Sequence, residues 1–150
     1  MGDSKTHLAV AREILSKKIG PIRQSSSLYQ TAAWGKTDQP DFINQVMIIE
    51  TQFNAFQAMN TILNIEADMG RHRTERNAPR IIDIDILFFD DKIINAPHLQ
   101  VPHPRLQERR FVLIPLNELA PELIHPILHK TIHQLLRVCP DHLAVTKIES

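Results

Sequence analysis

Apolar positions near the start of the chain recur at helical spacing. The predicted helix begins at Asp3 or Ser4, which can cap it, and runs to about Lys18, where Gly20-Pro21 is a stop signal. Its apolar face consists of Leu8, Ala11 and Leu15. The chain therefore opens with an amphipathic helix.

Strand patterns follow this helix. Residues 22–32 are rich in β-branched, aromatic and serine residues, and residues 42–51 predict a second strand after a turn or loop at 35–40. The run at 46–49 is apolar on both faces, so we expect it inside a sheet rather than at an edge.

A second helix is predicted up to Met69. Asn54 and Gln57 form a plausible capping box at its start. The apolar positions at helical spacing are Phe56, Met59, Leu63 and Ala67.

The strongest strand pattern of the chain covers residues 81–89. Asp90-Asp91 predicts a turn into a short strand at 92–94, which makes a hairpin. Four prolines, at positions 97, 102, 104 and 115, then predict loops and short helices, with a late helix at 132–138. The order of elements indicates an α+β fold in which helices cover one face of an antiparallel sheet, as a single domain over residues 1–150.

Composition excludes several classes of protein. The 150 residues carry 17 basic and 17 acidic side chains, so no global field attracts nucleic acid or an anionic membrane. The single cysteine, Cys139, excludes an intramolecular disulfide and a cysteine-based zinc site. No apolar stretch reaches the roughly 18 residues of a membrane span. We therefore expect a cytoplasmic protein, and a monomer.

Charge is nevertheless concentrated locally, because seven of the ten arginines fall between positions 71 and 110. The planar guanidinium suits bidentate contacts to phosphate or carboxylate. These arginines are Arg71, Arg73, Arg76, Arg80, Arg105, Arg109 and Arg110.

Two aspartates follow this arginine-rich loop. Asp83 and Asp85 are two positions apart on the predicted strand, so both side chains point to one face, with Cα atoms about 7 Å apart. They either pair with neighbouring arginines or hold a hard cation such as Mg²⁺. The dense guanidinium loop favours the second interpretation, because a bound polyphosphate with Mg²⁺ would neutralise both groups.

The segment RNAPRIIDIDIL at residues 76–87 resembles the signature of the 6-hydroxymethyl-7,8-dihydropterin pyrophosphokinase family of folate biosynthesis. Further segments resemble the blocks of that family in order. They are SSLYQT at 26–31, QPDFIN at 39–44, Glu66 with GRHR at 70–73, VPHPR at 101–105 and RRFVL at 109–113.

The resemblance implies a ferredoxin-like fold and transfer of pyrophosphate from ATP to hydroxymethyl-dihydropterin, with two Mg²⁺ ions and AMP as a product. By matching position, Asp83 and Asp85 are expected to hold both ions and, with Arg71 and Arg80, to be catalytic. The expected ATP-binding residues are Glu66, Arg71, Arg73, Arg80, Ile86, His103 and Arg109. The expected pterin-binding residues are Thr31, Ala32, Trp34, Phe42, Asn44 and Phe111, with the two phenylalanines enclosing the ring.

Physical chemistry leaves alternatives for some of these residues. An aromatic clamp suits a flat ring, but without the resemblance Phe42 and Phe111 would be interpreted as ordinary core residues, because buried phenylalanine is common. Asn44 lies in an apolar strand and needs hydrogen-bond partners, whether structural or functional. A zinc site of His125, His129 and His133 is disfavoured, because Pro126 interrupts the helical spacing.

The chain departs from the family pattern in three places, of which one is Ala32-Ala33, where the family usually has prolines. The family opens with a strand and a Gly-Ser-Asn loop, which we expect to be missing here, and Asn77-Ala78 stands where the family commonly has Trp-Gly. Two other functions stay open: a ferredoxin-like nucleic-acid-binding module, or a truncated fragment that binds ligand without turnover.

Overall fold

The structure is a computed structural model that describes residues 4–31, 42–70 and 82–148. The chain consists of two compact units. The first comprises Met1–Arg23 and Ile49–Ile86, and the second comprises Gln24–Ile48 and Leu87–Ser150. The helices are α1 (Ser4–Lys18), α2 (Ala55–Gly70), α3 (Arg110–Leu119) and α4 (Ile132–Arg137). The strands are β1 (Ile22–Ser25), β2 (Tyr29–Thr31), β3 (Phe42–Asn44), β4 (Met47–Ile49), β5 (Ile94–Ala96), β6 (Leu99–Val101) and β7 (Val145–Lys147). The α+β class is confirmed, while the single domain, the ferredoxin-like order and the missing first strand stay predictions.

The first helix has the predicted position, and the signals at its end act as expected. Ala11 and Leu15 are buried, and the turn after α1 is held by Thr51 Oγ1, which donates to the Ile19 carbonyl at 2.8 Å. Gly20 adopts a φ of 157°, and a Cβ there would clash with the carbonyl oxygen of Glu50. Only glycine fits this close approach of two backbone segments.

The second helix begins as predicted but buries a different face. Asn54 and Gln57 form the reciprocal capping box, with both hydrogen bonds at 2.9 Å. On the predicted face, Phe56 is 51% and Leu63 46% exposed, so that face assignment is wrong. The buried residues are Ala55, Ala58, Ile62, Ile65 and Met69. Both stripes have helical spacing, and the small alanines of the second stripe allow close helix packing, which periodicity alone does not reveal.

Each of the first two predicted strands is broken in the middle by contacts of Ser26. The Ser26 amide donates to the Val46 carbonyl at 2.8 Å, and the Val46 amide donates to Ser26 Oγ at 3.0 Å. The Gln45 side chain also donates to the Ser26 carbonyl at 2.8 Å. The Ser26 hydroxyl thus accepts the hydrogen bond that a backbone carbonyl would accept in a continuous ladder. The result is four short strands rather than two long ones.

Pairing of the described strands forms three small sheets. β3, β2 and β7 make an antiparallel sheet with β2 in the centre, β5 pairs with β6, and β1 pairs with β4. The expectation that the apolar run at 46–49 lies inside a sheet is wrong, because within the described residues β4 has one partner and Ile48 is 37% exposed.

Residues 82–89 do not form the predicted strand, and the hairpin in this part of the chain is β5–β6 instead. A strand needs a neighbouring strand to take up its backbone groups. Here the Ile84 amide donates to a carboxylate of Glu66, and the Leu87 carbonyl accepts from the His103 amide. The backbone therefore binds partners outside any ladder.

The core of the second unit lies around α3 and α4. Its buried members are Leu106, Leu113, Leu116, Ile132, Leu135 and Cys139. The late helix is confirmed as α4, with an additional capping box of Thr131 and Gln134. The prediction that Pro115 breaks up its segment is wrong, since Pro115 lies buried inside α3, where packing offsets the lost amide hydrogen bond. No helix in the described ranges is long and apolar enough to cross a membrane.

Candidate active site

The acidic segment at residues 82–86 keeps the alternation that the sequence predicts. Asp83 and Asp85 are exposed, whereas Ile82, Ile84 and Ile86 are half-buried. In an extended backbone this pattern places both carboxylates on the solvent side and the isoleucines on the other. The two aspartates are therefore accessible to a ligand from solvent, although the segment is not a strand.

Glu66 in the last turns of α2 holds this segment in place. Its Oε2 accepts a hydrogen bond from the Ile84 amide at 2.7 Å, a charge-assisted contact. Ile84 stands between the two aspartates in sequence, so the backbone that carries both carboxylates is fixed by the residue expected near the nucleotide. The structure thus brings together three of the predicted site residues within the first unit.

Several predicted site residues lie outside the described residues. These are Arg71, Arg73 and Arg80 of the arginine-rich loop, together with Ala32 and Trp34. Asn77 and Ala78, which depart from the family pattern, are outside them too. Their roles stay predictions.

Two basic residues expected to bind ATP flank a short 3₁₀ turn, Leu106–Glu108, in the second unit. His103 is half-buried, and its Nδ1 accepts a hydrogen bond from the Arg105 amide at 3.2 Å. This contact occupies the Nδ1 nitrogen of His103 and orients its ring. Arg109 immediately precedes α3, and its guanidinium lies 5.8 Å from the centre of the Phe111 ring, within cation–π range.

The register of β2 and β3 places three of the predicted pterin-binding residues on one face of their sheet. Thr31 is opposite Phe42, and Tyr29 is opposite Asn44. Directly opposed residues, and residues two apart on one strand, share a face. This strand face therefore carries an aromatic ring, an amide and a hydroxyl, which suits recognition of a flat, polar-edged ring.

Exposure of these residues argues for a role beyond packing. Phe42 is 57% exposed, which is inconsistent with a core residue. Thr31 is only 2% exposed, and its Oγ1 is buried without a hydrogen-bond partner among the described residues. A buried hydroxyl without a partner is costly in a folded protein, and a ligand group could supply the missing contact.

Phe111 lies in the first turn of α3, the helix that packs against β2, β3 and β7. Its ring is half-buried. α3 therefore contacts the strands that carry the other predicted pterin-binding residues. Phe111 itself is not a fully buried core residue.

Sequence reasoning missed two residues in this region. The Tyr29 hydroxyl donates to Glu118 Oε1 at 2.6 Å, and the Ser27 amide donates to Glu118 Oε2 at 3.1 Å. Burial, then the contact with Glu118, raises the pKa of Tyr29 to about 12. One signal was available, because a glutamate near the C-terminal end of a helix opposes the helix dipole and suggests a specific partner.

His125 has a structural environment. It is 3% exposed, its Nδ1 accepts from the amides of Ile127 and Leu128 at 3.2 and 3.1 Å, and Phe88 packs edge-on against its ring. Burial, followed by the charge of His129, lowers the pKa of His125 from its ordinary value of 6.5. The neutral ring therefore organises the loop before α4.

This environment predicts acid sensitivity. Because the pKa of His125 is lower in the folded state, the unfolded chain binds the proton first, so the stabilisation is complete above about pH 6.5 and is lost as the pH falls toward the folded pKa. Unfolding by urea at several pH values should show a smaller loss of stability on acidification for His125→Asn, which keeps an acceptor near Nδ1. The exposed His133→Asn is the control, and equal pH dependence of all three proteins would contradict the prediction.

Comparisons with known proteins place these features in a family context. The family model described as 7,8-dihydro-6-hydroxymethylpterin-pyrophosphokinase matches residues 1–121. The chain is 39% identical over 125 residues to the 2-amino-4-hydroxy-6-hydroxymethyldihydropteridine pyrophosphokinase of Methylorubrum extorquens, covering 83% of this chain and 79% of the relative. It is 38% identical over 115 residues to the protein of the same name from Synechocystis sp., covering 77% of this chain and 58% of the relative.

A longer relative shares the same region. The Folic acid synthesis protein FOL1 of Dictyostelium discoideum is 40% identical over 120 residues, which is 80% of this chain but 18% of the relative. The chain thus spans only part of several proteins that it matches.

Proposed function

Because the chain belongs to the 7,8-dihydro-6-hydroxymethylpterin-pyrophosphokinase family, we propose that it transfers pyrophosphate from ATP to 6-hydroxymethyl-7,8-dihydropterin in folate biosynthesis. The products are AMP and the pterin diphosphate. The observation that carries this proposal is the acidic segment, in which two exposed carboxylates flank a backbone amide held by Glu66. We also propose that the α+β elements belong to a ferredoxin-like fold.

Asp83 and Asp85 are the proposed Mg²⁺ ligands. Among the described residues no group of three or more His, Cys, Asp or Glu side chains could hold a metal by itself. Two accessible carboxylates still fit Mg²⁺, which commonly takes one or two carboxylates and completes its shell with water and substrate phosphates. Bound Mg²⁺, in two ions by analogy with the family, supplies charge neutralisation for the triphosphate.

The chemistry then depends mainly on positioning. The acceptor hydroxyl oxygen attacks the β-phosphorus of ATP, the bond from that phosphorus to the bridging oxygen of AMP breaks, and the hydroxyl proton leaves. Asp83 and Asp85 are the proposed residues that assist departure of that proton. His103, Arg109 and the arginines at 71, 73 and 80 offset the negative charge that spreads over the phosphate oxygens.

The sheet face of β2 and β3 is the proposed pterin half of the site. Phe42 offers an exposed ring for stacking, Asn44 offers both a donor and an acceptor, and the buried Thr31 hydroxyl has an unmet hydrogen bond among the described residues. Phe111 supplies the second ring, with Ala32 and Trp34 as further contacts. The cytoplasmic location and the monomeric state remain predictions.

Formation of AMP tests this function. Purified protein with Mg²⁺ and ATP should release AMP only when hydroxymethyl-dihydropterin is also present, and the pterin should gain two phosphates by mass. Release of ADP, or of AMP without the pterin, would contradict the proposal. Pterin binding without any AMP would instead indicate the ligand-binding fragment, and salt-sensitive RNA binding without turnover would indicate the nucleic-acid module.

A further inference from the structure

The carboxylate of Glu118 joins α3 to strand β2 within the second unit. It accepts the Tyr29 hydroxyl at 2.6 Å, the Ser27 amide at 3.1 and 3.2 Å, and the Ser27 hydroxyl at 3.4 Å. Burial alone would raise the pKa of Glu118, but the hydrogen bonds from Tyr29 and Ser27 lower it overall. The carboxylate is therefore ionised, and it binds two residues of the segment that leads into the sheet.

The position of Glu118 in its helix indicates that this contact has a specific purpose. Glu118 is the next-to-last residue of α3, where a negative charge is disfavoured by the helix dipole. The same helix packs its apolar residues Leu113 and Leu116 into the core, which already holds α3 in place. The hydrogen bonds of Glu118 add a directional restraint that apolar packing does not supply.

Tyr29 connects this restraint to the strand face described above. It is opposite Asn44 in the register and two residues before Thr31, so its side chain shares their face. It is 7% exposed, and its raised pKa of about 12 keeps its hydroxyl protonated at any working pH. The Tyr29 hydroxyl therefore remains a hydrogen-bond donor to Glu118.

Glu118 connects the restraint to Phe111. The two residues are seven positions apart in α3, which is close to two helical turns, so they lie on the same side of the helix. The hydrogen bond between Tyr29 and Glu118 therefore links two surfaces. One is the side of α3 that bears Phe111, and the other is the strand face that bears Asn44 and Thr31.

We propose that Tyr29 and Glu118 are positioning residues for the pterin half of the site. Their hydrogen bond sets the placement of α3 on β2, and hence of Phe111 relative to Asn44 and Thr31. We propose no contact of Tyr29 or Glu118 with the substrate. The inference rests on the proposed function, because it assigns the pterin to this face.

The test compares the effect of each substitution on pterin binding with its effect on ATP binding. Tyr29→Phe removes the hydroxyl but keeps the ring, and we expect the KM and Kd for hydroxymethyl-dihydropterin to rise about tenfold, within the range of one charge-assisted hydrogen bond. The KM for ATP and the kcat should change less than about twofold, because the acidic segment is untouched. Glu118→Ala should behave like Tyr29→Phe, whereas Glu118→Gln, which keeps an acceptor oxygen, should recover most of the affinity.

A matched control distinguishes positioning from general loss of stability. Thr131→Ala removes the capping hydrogen bond of α4 and should lower the temperature of thermal unfolding. Thermal unfolding of each variant provides the comparison. If Thr131→Ala weakened pterin binding as much as Tyr29→Phe does, or if Tyr29→Phe left pterin affinity unchanged, the proposal would be overturned.

Direct binding measurements keep this inference distinguishable from the proposed function. Titration of the wild-type protein with hydroxymethyl-dihydropterin, by calorimetry and without ATP, reports the pterin half alone. Binding without turnover would overturn the proposed function and leave the positioning effect measurable in Kd. Turnover with an unchanged Kd and KM for the pterin in Tyr29→Phe would overturn only the positioning role, and a wild-type protein that shows neither pterin binding nor turnover would overturn both.

Discussion

Asp83→Asn and Asp85→Asn are each expected to lower the rate of pyrophosphate transfer roughly 100- to 1,000-fold, the scale seen when a group that stabilises transition-state charge is removed. Asparagine preserves the size of the side chain but not its charge, so it binds Mg²⁺ poorly. Both aspartates are exposed, and circular dichroism of each variant checks that the fold is retained. The measurement is kcat for AMP formation at saturating ATP and pterin.

The nearby Asp91→Asn is the matched control. Asp91 is also exposed, but it lies in the turn after the acidic segment and has no proposed contact with the substrate. Its variant should keep the wild-type rate. Titration with Mg²⁺ should show a higher requirement in Asp83→Asn and Asp85→Asn, and full activity of Asp83→Asn at the wild-type Mg²⁺ requirement would contradict the proposed metal ligands.

Gly20→Ala is expected to produce the largest loss of stability, about 2–4 kcal/mol, in the range of backbone strain combined with a steric clash. The new Cβ would clash with the Glu50 carbonyl oxygen, and the φ of 157° is rarely adopted by other residues. The Glu50 amide also donates to the Pro21 carbonyl at 3.0 Å, so the two segments cannot separate without losing a hydrogen bond. Urea unfolding followed by circular dichroism measures the change.

Gly70→Ala provides the control for this substitution. Gly70 is the last residue of α2, and a Cβ there would meet no atom of the described residues within 4 Å. Alanine should leave stability unchanged or raise it by up to about 1 kcal/mol through helix propensity. Equal effects of the two substitutions would show that the close approach at Gly20 does not constrain the fold.

Elements determined by local interactions were predictable from the sequence. The capping box of Asn54 and Gln57 and the stop signal Gly20-Pro21 after α1 each consist of residues a few positions apart, so the pattern alone locates them. The exposure of Asp83 and Asp85 likewise follows from alternation along one short segment. The alternation of exposed and half-buried residues in the acidic segment was therefore predictable, whereas its role in the site stays a prediction.

Features that depend on distant partners were not predictable. Periodicity could not choose between the two apolar stripes of α2, because the packing partner decides which one is buried. A serine side chain at Ser26 divides two predicted strands through residues about 20 positions away. The contact between Tyr29 and Glu118 joins residues 89 positions apart, and no local pattern reveals it.

The destination of the β-phosphorus of ATP tests the central claim most directly. With ATP labelled at that phosphorus and hydroxymethyl-dihydropterin as acceptor, the label should appear in the pterin product, with one AMP released for each pterin diphosphate formed. Label retained in ADP would show transfer of a single phosphoryl group, and label released as free pyrophosphate would show hydrolysis. Either result would contradict the assignment of this chain as a pyrophosphokinase.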